Sequence, residues 1–346
     1  MIGPDLNGLG GISRVVKIWY ECGFLENYRT ELISSVSDNE SHKVIHLSKA
    51  LLKLLICAFG DNILYIHTSS YNSFRRKIAF ILIGYIFKKK VLLHIHPSHF
   101  YAYLCQLGGL EKRFIYSLLN KIHAFIVLTK DMKIKMGTLY PNHEILILPN
   151  PVDMRFLQPG EMRTRDKLRI VFLGWFIKEK GIYELADAVG EIAKTKPNIK
   201  LDFYGTKNVD SLKKYVCEKQ LESNIIVHGW IGDSEKAEVL KKCTMLVLPS
   251  YSEGIPNVIL EAMATKTPIV STVVGGLSEV LEDGVNALIV RAGDSKDLEE
   301  KLSKFLDDIN LRLTIAENAY SDAKTKYDAV VIKKKYQQII DKIVHH

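Results

Sequence analysis

The sequence predicts an α/β protein built from two doubly wound parallel sheets. Three observations predict it. Short apolar runs alternate with helix-period stretches along most of the 346 residues. Several of those runs stop on a glycine, as at Gly174, Gly205 and Gly229. The rhythm breaks once, in the polar, proline-rich stretch from Asn150 to Gly160, and then starts again.

Taken in order, the elements are these. A glycine-rich turn, Asn7 to Arg14, leads into a helical pattern from Val15 to Cys22, and only Met1 and Ile2 remain of the strand expected before it. Ile63–His67, Val91–His96, Ala124–Leu128 and Ile145–Leu148 read as buried strands, with helical runs such as Phe74–Phe87 and Leu110–Asn120 between them. After the break, strands are expected at Arg169–Leu173, Lys200–Tyr204, Ile225–Val227, Met245–Leu248, Pro268–Ser271 and Ala287–Val290. A helix is expected from Gly181 to Lys194, and the remaining gaps also read as helical. Residues 330–346 form a last amphipathic helix with Val330, Tyr336, Ile339, Ile340 and Ile343 on one side. The expectation is two Rossmann-like domains, 1–153 and 166–328, with a cleft between them and helix 330–346 packing back on the first.

The bulk composition narrows the class. A hydrophobic content of 47% and a charged content of 25% are ordinary for a globular protein. The length supports two full cores. Five scattered cysteines, none in a Cys-x-x-Cys pair, argue for a reducing compartment and against a zinc site. The first residues, Met1 to Pro4, carry no signal peptide. The net charge of +8 is uneven: residues 1–150 hold 18 Lys+Arg against 10 Asp+Glu, and the remainder is balanced. A basic half suggests an anionic partner surface. Nucleic acid is not expected, because no basic strand interleaved with aromatics and no helix-turn-helix signal is present.

The strongest chemical signal is the run from Leu246 to Ala264. Its strand ends at Leu248, a loop rich in Ser, Gly and Pro follows, and a helix opens near Val258. Glu253 falls in the loop and Glu261 about a turn into the helix. A helix start at the carboxyl end of a parallel strand is a site for anions. Two carboxylates beside it would repel a bare phosphate. They suit hydroxyls flanking a diphosphate, which is the shape of a nucleotide sugar.

Here the chain resembles the family 4 retaining glycosyltransferases of the two-domain GT-B fold, of the bacterial surface-polysaccharide type. The string Ser252-Glu-Gly-Ile-Pro-Asn-Val-Ile-Leu-Glu261 carries the resemblance, extended by Thr267 to Gly276, Glu279 to Gly284 and Ile147 to Asp153. It is close over most of 145–295 and loose in the N-terminal half. The resemblance implies that Glu253 touches donor-sugar hydroxyls and Glu261 the ribose. Gly254, Ile255 and Pro256 would join the donor-binding residues, and the backbone N–H groups of Asn257 and Val258 would hold the diphosphate. It makes the N-terminal domain the acceptor domain and the C-terminal one the nucleotide-sugar domain.

A second segment, Phe172 to Gly181, pairs a strand-end glycine, Gly174, with Lys180 six residues on. That pattern lets backbone approach phosphate while a cation neutralises it. The segment is similar to the family's phosphate loop, except that Trp175 stands where an arginine usually follows the glycine. Lys178 is the cation offered for the missing charge. The resemblance implies that Gly10 and Gly11, in the first turn, face the donor phosphate and the acceptor, and Gly205, which ends the next strand, is also expected to bind the donor. His96 matches a family position near the donor hexose. His94 reads as a core histidine and His67 as a second strand-end residue. His94, His96 and His99 have no acidic or cysteine ligand nearby, so no metal is expected. The apolar run 78–87 is bracketed by Arg75, Arg76 and Lys77 and by Lys88, Lys89 and Lys90. It is too short to span about 30 Å of hydrocarbon. It fits either a buried helix with solvated ends or one whose basic ends touch anionic lipid.

The expected activity is transfer of a hexose from a nucleotide sugar, UDP favoured over GDP, to a lipid-linked or glycan acceptor hydroxyl. Retention, no cofactor, no metal, and a cytoplasmic site at the inner face of the membrane complete the expectation. A nucleotide-sugar epimerase and a non-catalytic sugar-nucleotide-binding subunit are the alternatives.

Overall fold

The computed structural model describes residues 1–6, 8–35, 43–57, 63–69, 71–160 and 165–345. Asn7 of the glycine-rich turn, residues 161–164 of the expected boundary and the closing His346 lie outside the described residues. The chain divides into two compact units, Met1–Pro151 with Ala329–His346, and Val152–Asp328.

The first unit runs β1 (Ile2–Gly3), α1 (Gly11–Glu21), β2 (Ile33–Ser34), α2 (Lys43–Cys57), β3 (Ile63–Thr68), α3 (Asn72–Ile86), β4 (Lys90–Ile95), α4 (Phe100–Gln106), α5 (Gly109–Leu119), β5 (Ala124–Val127), α6 (Lys130–Leu139) and β6 (Glu144–Ile147). The second runs β7 (Arg169–Trp175), α7 (Ile182–Ala193), β8 (Lys200–Thr206), α8 (Val209–Glu218), β9 (Ile225–Val227), α9 (Asp233–Lys242), β10 (Met245–Leu248), α10 (Asn257–Ala264), β11 (Ile269–Ser271), β12 (Leu288–Ile289), α11 (Ser295–Asp307) and α12 (Ile309–Asp322). The last helix, α13 (Ala329–His345), belongs to the first unit.

Each unit holds one six-stranded sheet, ordered β2-β1-β3-β4-β5-β6 in the first and β12-β11-β10-β7-β8-β9 in the second. Every described strand pair is parallel. The apolar runs are strands because both faces of such a sheet are covered by helices, so no polar alternation is needed. The strand expected at Met1 and Ile2 is present as the two-residue β1, hydrogen-bonded between β2 and β3. In each sheet the strand order reverses once, between β1 and β3 and between β10 and β7. Those reversals place paired loops at the carboxyl ends of neighbouring strands, where open α/β sheets take ligands.

Helix α13 closes the first core. Tyr336, Ile339, Ile340 and Ile343 are buried with Trp19, Phe24 and Tyr65 in one cluster. The Trp19 and Tyr336 rings lie 4.8 Å apart. Val330, expected on the same face, is 53% exposed.

The basic residues flanking α3 do not all face solvent, contrary to the expectation of a wholly basic helix end. Lys77 is buried, and its ammonium donates to Ser35 Oγ inside the first unit, so it presents no charge to a membrane. Arg75 pairs with Glu111 at 2.7 Å, and Lys90 Nζ donates to the Ile343 carbonyl at 2.7 Å. Arg75, Arg76 and Lys77 are consecutive, and about 100° of helical turn separates each from the next, so one of the three faces inward.

Candidate active site

In the second unit the loops after β7 and β10 meet at the reversal of strand order. Glu253, on the β10 loop, is 8% exposed. Its Oε1 accepts from Lys180 Nζ at 2.5 Å and from Ser250 Oγ at 2.7 Å. Lys180 comes from the β7 loop, in a 3-10 turn that ends at Gly181. Gly181 has φ +68°, and a Cβ there would run into the Pro249 carbonyl, so only glycine lets the two loops close on each other. Tyr251 N–H donating to the Glu179 carbonyl at 2.9 Å fastens them further. The Gly276 N–H holds the Glu253 carbonyl at 3.1 Å. Lys180 and Glu253, read separately in the sequence, are one ion pair.

Helix α10 begins at Asn257 with Pro256 as its N-cap, and no side chain caps it. The first turn, at Asn257 and Val258, carries the positive end of the helix dipole. Glu261 sits one turn in and is 1% exposed. Its Oε1 accepts from Lys236 Nζ at 2.7 Å, and Lys236 also lies 3.5 Å from Asp233. Lys236 was missed in the sequence, where Asp233–Lys242 reads as an ordinary charged helix.

Gly174 and Trp175 end β7 in register with Gly205 and Thr206 of β8. A Cβ on Gly205 would strike the Gly174 carbonyl, so the glycine permits close strand approach. Trp175 is 37% exposed, and Lys207 Nζ stands 3.5 Å over its ring. Lys178 is exposed on the 3-10 turn.

In the first unit, Gly10 is the N-cap of α1 and Gly11 its first residue, at the carboxyl end of β1. His96 follows β4 and is buried; its Nε2 lies 3.0 Å from His67 Nδ1. Burial holds the His96 imidazole down to about 3, partly countered by the Asn150 side-chain oxygen, which favours the protonated ring, so the ring is neutral at physiological pH. Burial likewise keeps His67 and His94 well below the ordinary histidine range. His94 is a core residue as expected, with Nδ1 3.0 Å from the Tyr65 hydroxyl. The histidine group also changes membership. His67, His94 and His96 bring ring nitrogens within 4.8 Å of one another, and His99 is not among them. His94 and His96 stack with centroids 4.2 Å apart and planes 29° apart. Stacked rings do not aim their lone pairs at one point, so a metal would require the rings to turn.

A family model described as glycosyl transferases group 1 matches residues 156–322. An uncharacterized glycosyltransferase of Methanocaldococcus jannaschii is 30% identical over 312 residues, covering 87% of this chain and 85% of its own. A Campylobacter jejuni protein named as an N,N'-diacetylbacillosaminyl-diphospho-undecaprenol alpha-1,3-N-acetylgalactosaminyltransferase is 37% identical over 118 residues, 34% of this chain and 31% of its own. The structure of Anabaena HepE in complex with UDP and glucose matches with TM-score 0.75 at 18% identity, covering 100% of this chain and 98% of that one. That last likeness shows the fold, the GT-B type with two Rossmann-like units.

Proposed function

The chain belongs to the group 1 glycosyl transferases, and from that membership we propose that it moves a hexose from a UDP-sugar to an acceptor hydroxyl with retention at the anomeric carbon. The observation that carries the reading is the Lys180–Glu253 pair, 2.5 Å apart, beside the uncapped start of α10. A cation, backbone donors and a carboxylate stand together where charge develops on a departing diphosphate. Lys180 and the N–H groups of Asn257 and Val258 stabilise that diphosphate. Glu261 binds the ribose hydroxyls, and Glu253 holds the hexose, its carboxylate already oriented by Lys180 and Ser250.

In the step proposed, the bond from C1 to the β-phosphate oxygen breaks. The acceptor oxygen bonds C1 on the same face, and its proton passes to the departing phosphate. Glu253 orients the sugar rather than attacking it. His96, neutral and held by His67, is assigned to a contact with the transferred sugar. The reaction needs neither cofactor nor metal, because Lys180 and the helix start supply the positive field. Nucleic acid has no place in it.

A lipid-linked acceptor is favoured by the Campylobacter relative's name, and a surface polysaccharide is the product class proposed. Among the described residues no helix is long and apolar enough to cross a membrane. Contact with the inner face of the cytoplasmic membrane is assigned to the end of α3, where Tyr85 and Ile86 are 48% and 68% exposed and Lys88 follows. Incubating the protein with a panel of UDP-sugars and lipid-linked saccharides tests the reading. An α-linked product from an α-linked donor, seen by proton NMR, is expected. Inversion would remove the retaining mechanism, and binding without turnover would favour a non-catalytic subunit.

A further inference from the structure

Three lysines stand at the carboxyl ends of β7 and β8: Lys178, Lys180 and Lys207. Lys180 is already paired with Glu253. Among the described residues neither Lys178 nor Lys207 has a carboxylate partner. Lys207 is the more tightly specified of the two. It has φ +65° and its neighbour Asn208 has φ +41°, both in the left-handed region. A lysine there costs backbone strain that glycine would not. The turn is nevertheless fixed: Asn208 Nδ2 donates to the Phe176 carbonyl at 3.0 Å, and Phe176 N–H donates to Thr206 at 2.9 Å. This clamps the turn to the residue after Trp175 and lays the Lys207 ammonium 3.5 Å over the indole. The ring holds the cation without neutralising it, as a carboxylate would.

We propose that Lys207, held over Trp175, is the second cation for the donor diphosphate. It takes the place that Lys178 was expected to fill and supplies the charge that Trp175 itself cannot. The inference rests on the donor-site reading above and adds to it a residue and a platform. Trp175 is then a positioning residue, and Lys207 touches the leaving group.

The test is titration calorimetry of the full chain with UDP, GDP and uridine, alongside thermal melting. Lys207→Gly relieves the left-handed strain, so its melting point should equal or exceed that of the wild type. Its affinity for the bound diphosphate should fall about tenfold while uridine binding holds, because only the charge-assisted contact is lost. Lys207→Arg should retain diphosphate affinity, and Trp175→Arg should restore it in the Lys207→Gly background. Lys214→Ala, on the solvent side of α8 beside Glu218, should change nothing. Wild-type diphosphate affinity in Lys207→Gly overturns the inference. Equal losses for diphosphate and uridine also overturn it, since they mark a structural role. A wild type that binds none of the three probes overturns the donor site itself, which separates the two failures.

Discussion

Lys180 Nζ lies 2.5 Å from Glu253 Oε1, and the two come from loops that follow different strands, β7 and β10. The pair is only partly open to water, Lys180 being 21% and Glu253 8% exposed. Removing the cation would leave a nearly buried carboxylate held by the Ser250 hydroxyl alone among the side-chain donors described. Lys180→Ala should therefore lower turnover about 10²–10³-fold, the cost of losing one preorganised charge-stabilising donor. Glu253→Ala should lower turnover more than donor affinity. Steady-state kinetics check both, and wild-type rates in either variant would remove the assigned role.

Lys236 and Glu261 form a second buried-carboxylate pair, 2.7 Å apart, with Glu261 in the first turns of α10. If Glu261 holds the ribose, Lys236 fixes the rotamer that does so. Lys236→Ala and Glu261→Ala should each raise the Kd for UDP about tenfold, and the double variant should lose little more, because neighbours in one network are not additive. Additive losses would show that the two residues act separately.

The stability of the first unit should depend on pH in two windows. Burial pushes the Lys77 ammonium down to about 7, with Arg76 adding to the effect. An unfolded lysine keeps its proton to about pH 10.4. Between those values the unfolded chain binds more protons, so stability rises with pH, by up to about 1.4 kcal/mol per pH unit from this group. The neutral His96, held at about 3, gives the same sign at acid pH: stability is lost as pH falls below the ordinary histidine value of about 6.5. Urea unfolding from pH 7 to 10 should show a rising midpoint that Lys77→Met flattens. The same slope in that variant would contradict the assignment.

The membrane contact should follow Lys88 and Lys89 rather than the whole basic run. Charge reversal of both should weaken binding to vesicles containing phosphatidylglycerol, each cation near lipid being worth about 1 kcal/mol. Reversing Lys77 tests nothing here, because that residue is internal. Co-sedimentation that ignores both Lys88 and Lys89 would remove the proposed surface.

The donor loops were legible because strand, glycine or proline, and helix follow one another closely, and a short-range signal survives in sequence. Glu253, Lys180 and Glu261 each lay beside such punctuation. Lys236 and Lys207 did not. Lys236 acts only because α9 packs on α10, and Lys207 gains meaning only from its left-handed backbone and the ring beneath it. The histidines show the same limit. His99 is near His96 in sequence, yet the β3–β4 register places His67 opposite His94. The two-residue β2 and the long α2 escaped notice, β2 because it is too short to show a period. Lys77 was misread because three cations in a row look like a solvated end until the helix turns one inward.

The most direct measurement is a crystal structure of the full chain soaked with the UDP-sugar it turns over. The ribose hydroxyls should lie within hydrogen-bond reach of Glu261 and the hexose hydroxyls of Glu253, with the diphosphate on the Asn257 and Val258 amides. Density for the nucleotide sugar anywhere else, or on those amides with both carboxylates turned away, would contradict the account.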